Sequence, residues 1–121
     1  MDYEVRLSEE SENDLALIFD HLIDVHLSLG EAVEDAISRA TARIRRIEDD
    51  IFSIGRFPYK GTLTPEVAVG LRHVTKGRAI IYFDVYEQQE LVQIIAVFFG
   101  GQDHQRHMLE RLGVAASRGG F

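Results

Sequence analysis

The spacing of apolar residues changes along the chain, and each change marks an element. Tyr3, Val5 and Leu7 alternate with Glu4 and Arg6, the period of a short half-buried strand. Ser8 follows as a helix N-cap, with Glu9 and Glu10 where acidic groups favour a helix start. Leu15, Ile18, Phe19, Leu22, His26 and Leu29 then form one apolar stripe, and Gly30 is a natural stop. A second helix is predicted from near Glu31. Its seam is Ile37, Ala40, Ile44, Ile47 and Ile51, with Arg39, Arg43, Arg45 and Arg46 lying off it. With Gly30 between them, the two helices predict an antiparallel hairpin.

Gly55, Pro58, Gly61 and Pro65 mark a loop, after which the period shortens to that of strands. Residues 70–74, 78–86 and 91–99 read as three strands joined by the Thr75-Lys76-Gly77 and Glu87-Gln88-Gln89-Glu90 turns. The last of these is nearly all apolar, as a central strand covered on both faces would be. Gly100-Gly101 ends it, and Asp103 can cap a short helix through Met108, Leu109 and Leu112 up to Gly113. The expected fold is α+β, in the order β-α-α-β-β-β-α. A helical hairpin packs on a small, twisted, mainly antiparallel sheet. Residues 1–114 are read as one domain and 115–121 as a flexible tail.

Composition narrows the function classes. The chain has 121 residues, 45% of them hydrophobic and 27% charged, ordinary for one globular domain. It contains no cysteine, which excludes disulfide scaffolds, thiolate zinc sites and cysteine nucleophiles. No apolar run approaches the roughly 20 residues of a membrane span. The acidic start Met1-Asp2-Tyr3-Glu4 lacks a signal-peptide apolar region, so a cytoplasmic protein is expected. A net charge of −7 argues against a general nucleic-acid coat. That acidity is confined to residues 1–50, at net −9, whereas residues 51–121 carry net +2.

No familiar catalytic constellation stands out. Gly100-Gly101 lacks the lysine and Ser/Thr of a phosphate loop, and no Gly-x-Ser-x-Gly elbow exists. His21 and His26 point about 140° apart on a helix, which disfavours a shared metal. His26 reads as a packing residue and His73 as a solvated or cross-strand residue. His104 and His107 lie one turn apart beside Asp103 but lack a third ligand, so neither a metal nor a cofactor is expected. Arg72, Lys76, Arg78, Arg106 and Arg111 remain. If the strands pair as hairpins, Arg72 and Arg78 flank the Lys76-Gly77 turn and would form a positive groove at one sheet end. The competing reading is ordinary surface arginine paired with the acidic helices.

From Tyr3 to Leu112 the motifs resemble the RelE/ParE superfamily of bacterial type II toxins. The resemblance is carried by Asp14-Leu15 and Ile18-Phe19, the spaced isoleucines, Phe57-Pro58 and Gly61, and Gly70-Leu71-Arg72. It continues through Gly77-Arg78, Ile81-Tyr82-Phe83-Asp84-Val85, and Ile94 running into Gly100-Gly101-Gln102-Asp103. The RelE-like branch implies a ribosome-dependent mRNA endonuclease, with Arg78 holding phosphate and His104 or His107 as acid/base. Gln102 stands where that branch has an arginine, which removes a charge from the transition state. The ending from Gly100 to Leu109 is more similar to the ParE-like branch, which implies inhibition of DNA gyrase by binding, without chemistry. The expectation is therefore a gyrase-binding toxin with no catalytic residues, neutralised by a cognate antitoxin. It is not expected to bind a membrane or to read nucleic-acid sequence. Arg72, Lys76, Arg78, Gln102, His104, Arg106, His107 and Met108 are the expected contacts to target or antitoxin. A third reading is a degenerate member that only binds protein.

Overall fold

The first turn of the long N-terminal helix is set by two serines. In a computed structural model describing residues 2–100 and 103–113, strand β1 (Glu4–Leu7) ends at Ser8, which caps helix α1 (Glu9–Ser28). Ser8 Oγ accepts the Ser11 N–H at 3.1 Å, and Ser11 Oγ donates back to the Ser8 carbonyl at 2.8 Å. Glu9, Glu10 and Glu12 in this turn offset the positive helix end. Gly30 turns the chain at φ +86, a value that favours glycine. Helix α2 (Val33–Ser53) then runs back along α1.

The hairpin buries Leu15 and Ile18 of α1 and Ala36, Ala40, Ile47 and Ile51 of α2. Two positions depart from the expected stripes. Leu29 is 72% exposed because it lies beyond the last helical turn. Ile37 is 43% exposed while Ala36 is fully buried, so near its start α2 turns small residues inward, where they allow a close helix approach.

The sheet has the order β1-β5-β4-β3-β2, with β1 parallel to β5 and every other pair antiparallel. Its strands are β2 (Thr62–Leu63), β3 (Arg72–Lys76), β4 (Ala79–Tyr86) and β5 (Leu91–Phe99). The expected element order holds, with β2 added inside the segment read as loop. That segment also contains two 3-10 turns, Ile54–Arg56 and Pro58–Lys60. Gly61 leads into β2, where a Cβ would come within 2.5 Å of Phe83 Cζ. Only glycine lets the backbone lie that close.

β5 changes phase midway. Tyr82 pairs with Ala96 and Phe83 with Ile94, so Ile95 is an extra residue and forms a bulge. Before it, Val92 and Ile94 face the hairpin; after it, Val97 faces the hairpin while Ala96 and Phe98 face away. The hairpin-side core joins Leu15, Ile18, Ile47 and Ile51 to Ile81, Phe83, Val92, Ile94 and Val97. The opposite face is covered by α3 (His104–Arg111), whose fully buried Met108 packs with Val67, Leu71, Tyr82, Ala96 and Phe98. Asp103 Oδ1 caps α3 through the Arg106 N–H at 3.4 Å.

Arg111 ties α3 to the hairpin. Its Nη1 and Nη2 donate to the two Asp14 oxygens at 2.6 and 2.8 Å, and Asp14 Oδ2 also accepts the Val97 N–H at 2.9 Å. β1 pairs only with residues 91–94 of β5, so this carboxylate satisfies an edge amide that no strand reaches. Arg111 is thus a structural ion pair with the acidic helix and not part of a positive groove. Gln102 and the tail expected at 115–121 lie outside the described residues.

Candidate functional site

The expected contact residues do not converge on one place. Arg72 opens β3 opposite Phe83, and its Nη1 donates to the carbonyls of Tyr59 at 3.1 Å and Gly61 at 2.8 Å. Its guanidinium also lies 5.2 Å from the Tyr59 ring centre. Arg72 therefore pins the 3-10 segment to the sheet. The expected grouping of Arg72 with Arg78 is corrected by register. Lys76 pairs with Ala79, so the β3–β4 turn holds only Gly77 and Arg78, and Arg72 sits at the far end of β3. Four residues of strand separate them by about 13 Å.

Arg78 instead faces the hairpin. It lies 5.6 Å from the Phe99 ring centre, and Arg43 of α2 lies 5.3 Å from the same ring. These residues line a cleft of about 470 Å³ between the hairpin and the end of β4 and β5. Leu22 and His26 of α1, and Arg39, Ala42 and Arg46 of α2, complete its wall. Arg39 Nε is 2.8 Å from Glu31 Oε1, and His26 Nδ1 is 2.6 Å from Glu31 Oε2. His26 is thus a half-buried polar partner as well as a packing residue. Among the described residues, Arg43, Arg46 and Arg78 have no carboxylate within salt-bridge distance. Lys76 lies on the next stretch of surface, with Arg43, Arg46 and Asp50.

A further place is on the opposite face, where β3, β4 and α3 meet. Tyr82 is fully buried, and its hydroxyl lies 2.6 Å from His104 Nδ1. His73, directly across from Tyr82 on β3, stacks on it with ring centres 5.5 Å apart and lies 6.0 Å from His104. Its Nδ1 is 2.7 Å from Oγ1 of the buried Thr64. Burial and the neighbouring His104 hold the His73 pKa below its ordinary value, with Glu66 pulling the other way. Burial, then Glu66 and Asp103, push the Tyr82 hydroxyl up to about 12. Tyr82 therefore stays neutral near pH 7, and a neutral hydroxyl can donate to His104.

α3 presents the last group. Arg106 is exposed, with Nε 3.9 Å from Glu110 Oε1, and His107 stacks at 5.7 Å on Phe98. The expectation of Met108 as a contact residue is corrected, because its position on α3 points into the core and leaves no exposed surface. Gln102 lies outside the described residues. Sequence reasoning missed Arg43, Arg46, Phe99 and Tyr82. The first two had a signal: 39, 43 and 46 step by four and three, one helical stripe beside the isoleucine seam. Phe99 and Tyr82 needed the bulge and the β3–β4 register.

Among the described residues, no cluster of three His, Cys, Asp or Glu could hold a metal, and no helix is long and apolar enough to cross a membrane. No family model matches the sequence, and no curated protein matches it. Solved structures do match. A chain in the chromosomal ParDE TA system from P. aeruginosa superposes with a TM-score of 0.64 at 17% identity, covering 81% of this chain and 96% of that one. A chain in the toxin–antitoxin complex RelBE2 from Mycobacterium tuberculosis superposes at 0.59 with 14% identity, covering 82% and 99%. Both likenesses run over nearly the whole of the matched chains, and at these identities they speak for architecture: the chain shares the fold of these two chains.

Proposed function

We propose that the chain is the toxin of a bacterial type II toxin–antitoxin module, acting in the cytoplasm by binding DNA gyrase and held inactive by a cognate antitoxin. The domain is taken as residues 1–114. The shared fold with chains of the ParDE and RelBE2 assemblies supports the toxin assignment. One observation favours binding over RNA cleavage. Arg78, the cation that would hold phosphate, lies with Phe99 on the hairpin side of the sheet. His104 and His107, which would move the proton, lie with Tyr82 and Phe98 on the other side. Phosphoryl chemistry needs both around one reacting group. A binding inhibitor needs only a rigid surface with a few anchors, and α3 supplies Arg106 and the half-exposed His107 on a clamped helix.

The test is a supercoiling assay with purified protein. Inhibition is expected, with Arg106→Ala or His107→Ala weakening it about tenfold, the scale of one interface anchor. Thermal melts should stay unchanged. Codon-positioned cleavage of mRNA on translating ribosomes, abolished by Arg78→Ala while gyrase remains active, would replace this reading with the endonuclease.

A further inference from the structure

We propose that the cleft between the hairpin and the β4–β5 end of the sheet is a docking site for an acidic polypeptide segment carrying an apolar residue among its carboxylates. The proposal rests on the antitoxin reading above and names the chemistry of the segment that would bind. Three features of the cleft select this occupant.

The first is charge. Among the described residues, Arg43, Arg46 and Arg78 converge with no carboxylate within salt-bridge distance, in a chain with 20 acidic residues and a net charge of −7. Unpaired like charges held together repel one another, and an incoming acid relieves that repulsion. Arg43 and Arg78 both hold the guanidinium carbon over the Phe99 ring, at 5.3 and 5.6 Å from its centre, a placement compatible with their N–H groups forking onto carboxylates. The second is shape. The cleft encloses about 470 Å³ and includes Leu22, Ala42 and Phe99, so an aliphatic side chain can enter between the charges.

The third is what the cleft excludes. Glu31 pairs with Arg39 and His26 of the cleft wall, and Asp50 lies beside Arg46 and Lys76 on the adjoining surface. An extended polynucleotide would carry its phosphates past both acids. The Phe99 ring already carries the guanidiniums of Arg43 and Arg78, which compete for it with any base of the kind single-stranded nucleic acids stack. A short acidic peptide meets neither obstacle.

The full chain is titrated against a fluorescein-labelled peptide of four glutamates around a central leucine. A glutamine version and a single-stranded RNA of similar length serve as comparisons. Fluorescence anisotropy should show binding of the glutamate peptide that weakens with salt. Arg43→Gln and Arg78→Gln should each lower affinity about tenfold, as the loss of a charge-assisted pair does. Arg45→Gln, exposed on the same helix but outside the cleft, should leave it unchanged. Thermal melts establish that the variants are folded. Absence of peptide binding, equal binding of the glutamine peptide, insensitivity to both cleft substitutions, or tighter arginine-dependent binding of RNA would each overturn the proposal. Because the probe is synthetic, none of these results depends on gyrase inhibition, which tests the toxin reading separately.

Discussion

The two faces of the sheet are built from alternate residues of the same strands, yet they are held by different physics. On the hairpin side, Ile81, Phe83, Val92, Ile94 and Val97 meet aliphatic helix residues. Stability there follows from apolar area removed from water. On the other side Tyr82 and Phe98 share their surroundings with His73, Thr64 and His104. A short helix covers them, anchored by one buried methionine and one ion pair. The first face tolerates aliphatic exchange of similar volume, while the second depends on particular donors and acceptors. The candidate contacts of α3 stand over that second face.

Breaking the ion pair should separate the two faces most sharply. Asp14 is only 8% exposed, and it serves both Arg111 and the Val97 amide. Asp14→Ala leaves a partly buried cation and an edge N–H without their acceptor. Urea denaturation should show a loss of about 3–5 kcal/mol. Replacing both partners, with Asp14→Leu and Arg111→Met, should recover much of it, because an apolar pair leaves no buried charge behind. A double variant as unstable as Asp14→Ala would mean that the carboxylate matters mainly through the Val97 amide.

A smaller effect is expected at Tyr82. Tyr82→Phe keeps the ring in the core and removes only the hydroxyl next to His104 Nδ1. The expected loss is about 1 kcal/mol, and nuclear magnetic resonance should show the His104 ring signals moving while the hairpin signals stay. Shifts spread equally over α1 and α2 would contradict the separation of the faces.

The smallest effect concerns pH. The folded-state pKa of His73 lies below its ordinary 6.5, through burial first and His104 second. As pH falls through that value, the unfolded chain takes up a proton that the folded chain resists. Stability should therefore drop on acidification through about pH 6 and be flat in this term above neutrality. His73→Gln should flatten the decline in unfolding free energy measured between about pH 7.5 and about pH 5.5. Parallel slopes in the two proteins would assign the decline to other groups.

What was legible in the sequence was whatever repeats with a period or caps an end. Ser8, Gly30, the Ile47 and Ile51 seam and the Leu91–Phe99 strand follow from local rules, and the structure keeps them. Hidden features depended on pairings distant in sequence. The two residues of β2 are too few to show an alternation, and they exist because β3 offers an edge. The Ile95 bulge is invisible in a nearly continuous apolar run, where either phase looks buried. Without it, Phe99 could not be assigned to the hairpin side, so the cluster of Arg43 and Arg78 around it stayed unseen. Arg72 and Arg78 lie apart because the pairing of Lys76 with Ala79 puts Arg78 in the turn itself and leaves Arg72 at the opposite end of β3.

The parallel pairing of β1 with β5 has a consequence for how the chain is made. Ser8 and Ile95 touch across 87 positions of sequence, and Glu4 pairs with Leu91. Long-range pairing of this kind is slow, since the loop entropy is lost before the contacts form. During synthesis β1 emerges before the hairpin and waits unpaired through both helices and three further strands, β2, β3 and β4. Until β5 leaves the ribosome, the aliphatic stripes of α1 and α2 have no completed sheet to cover them. The sheet therefore cannot be completed until β5 is available, and the elongating chain passes through an interval in which its hairpin lacks that cover.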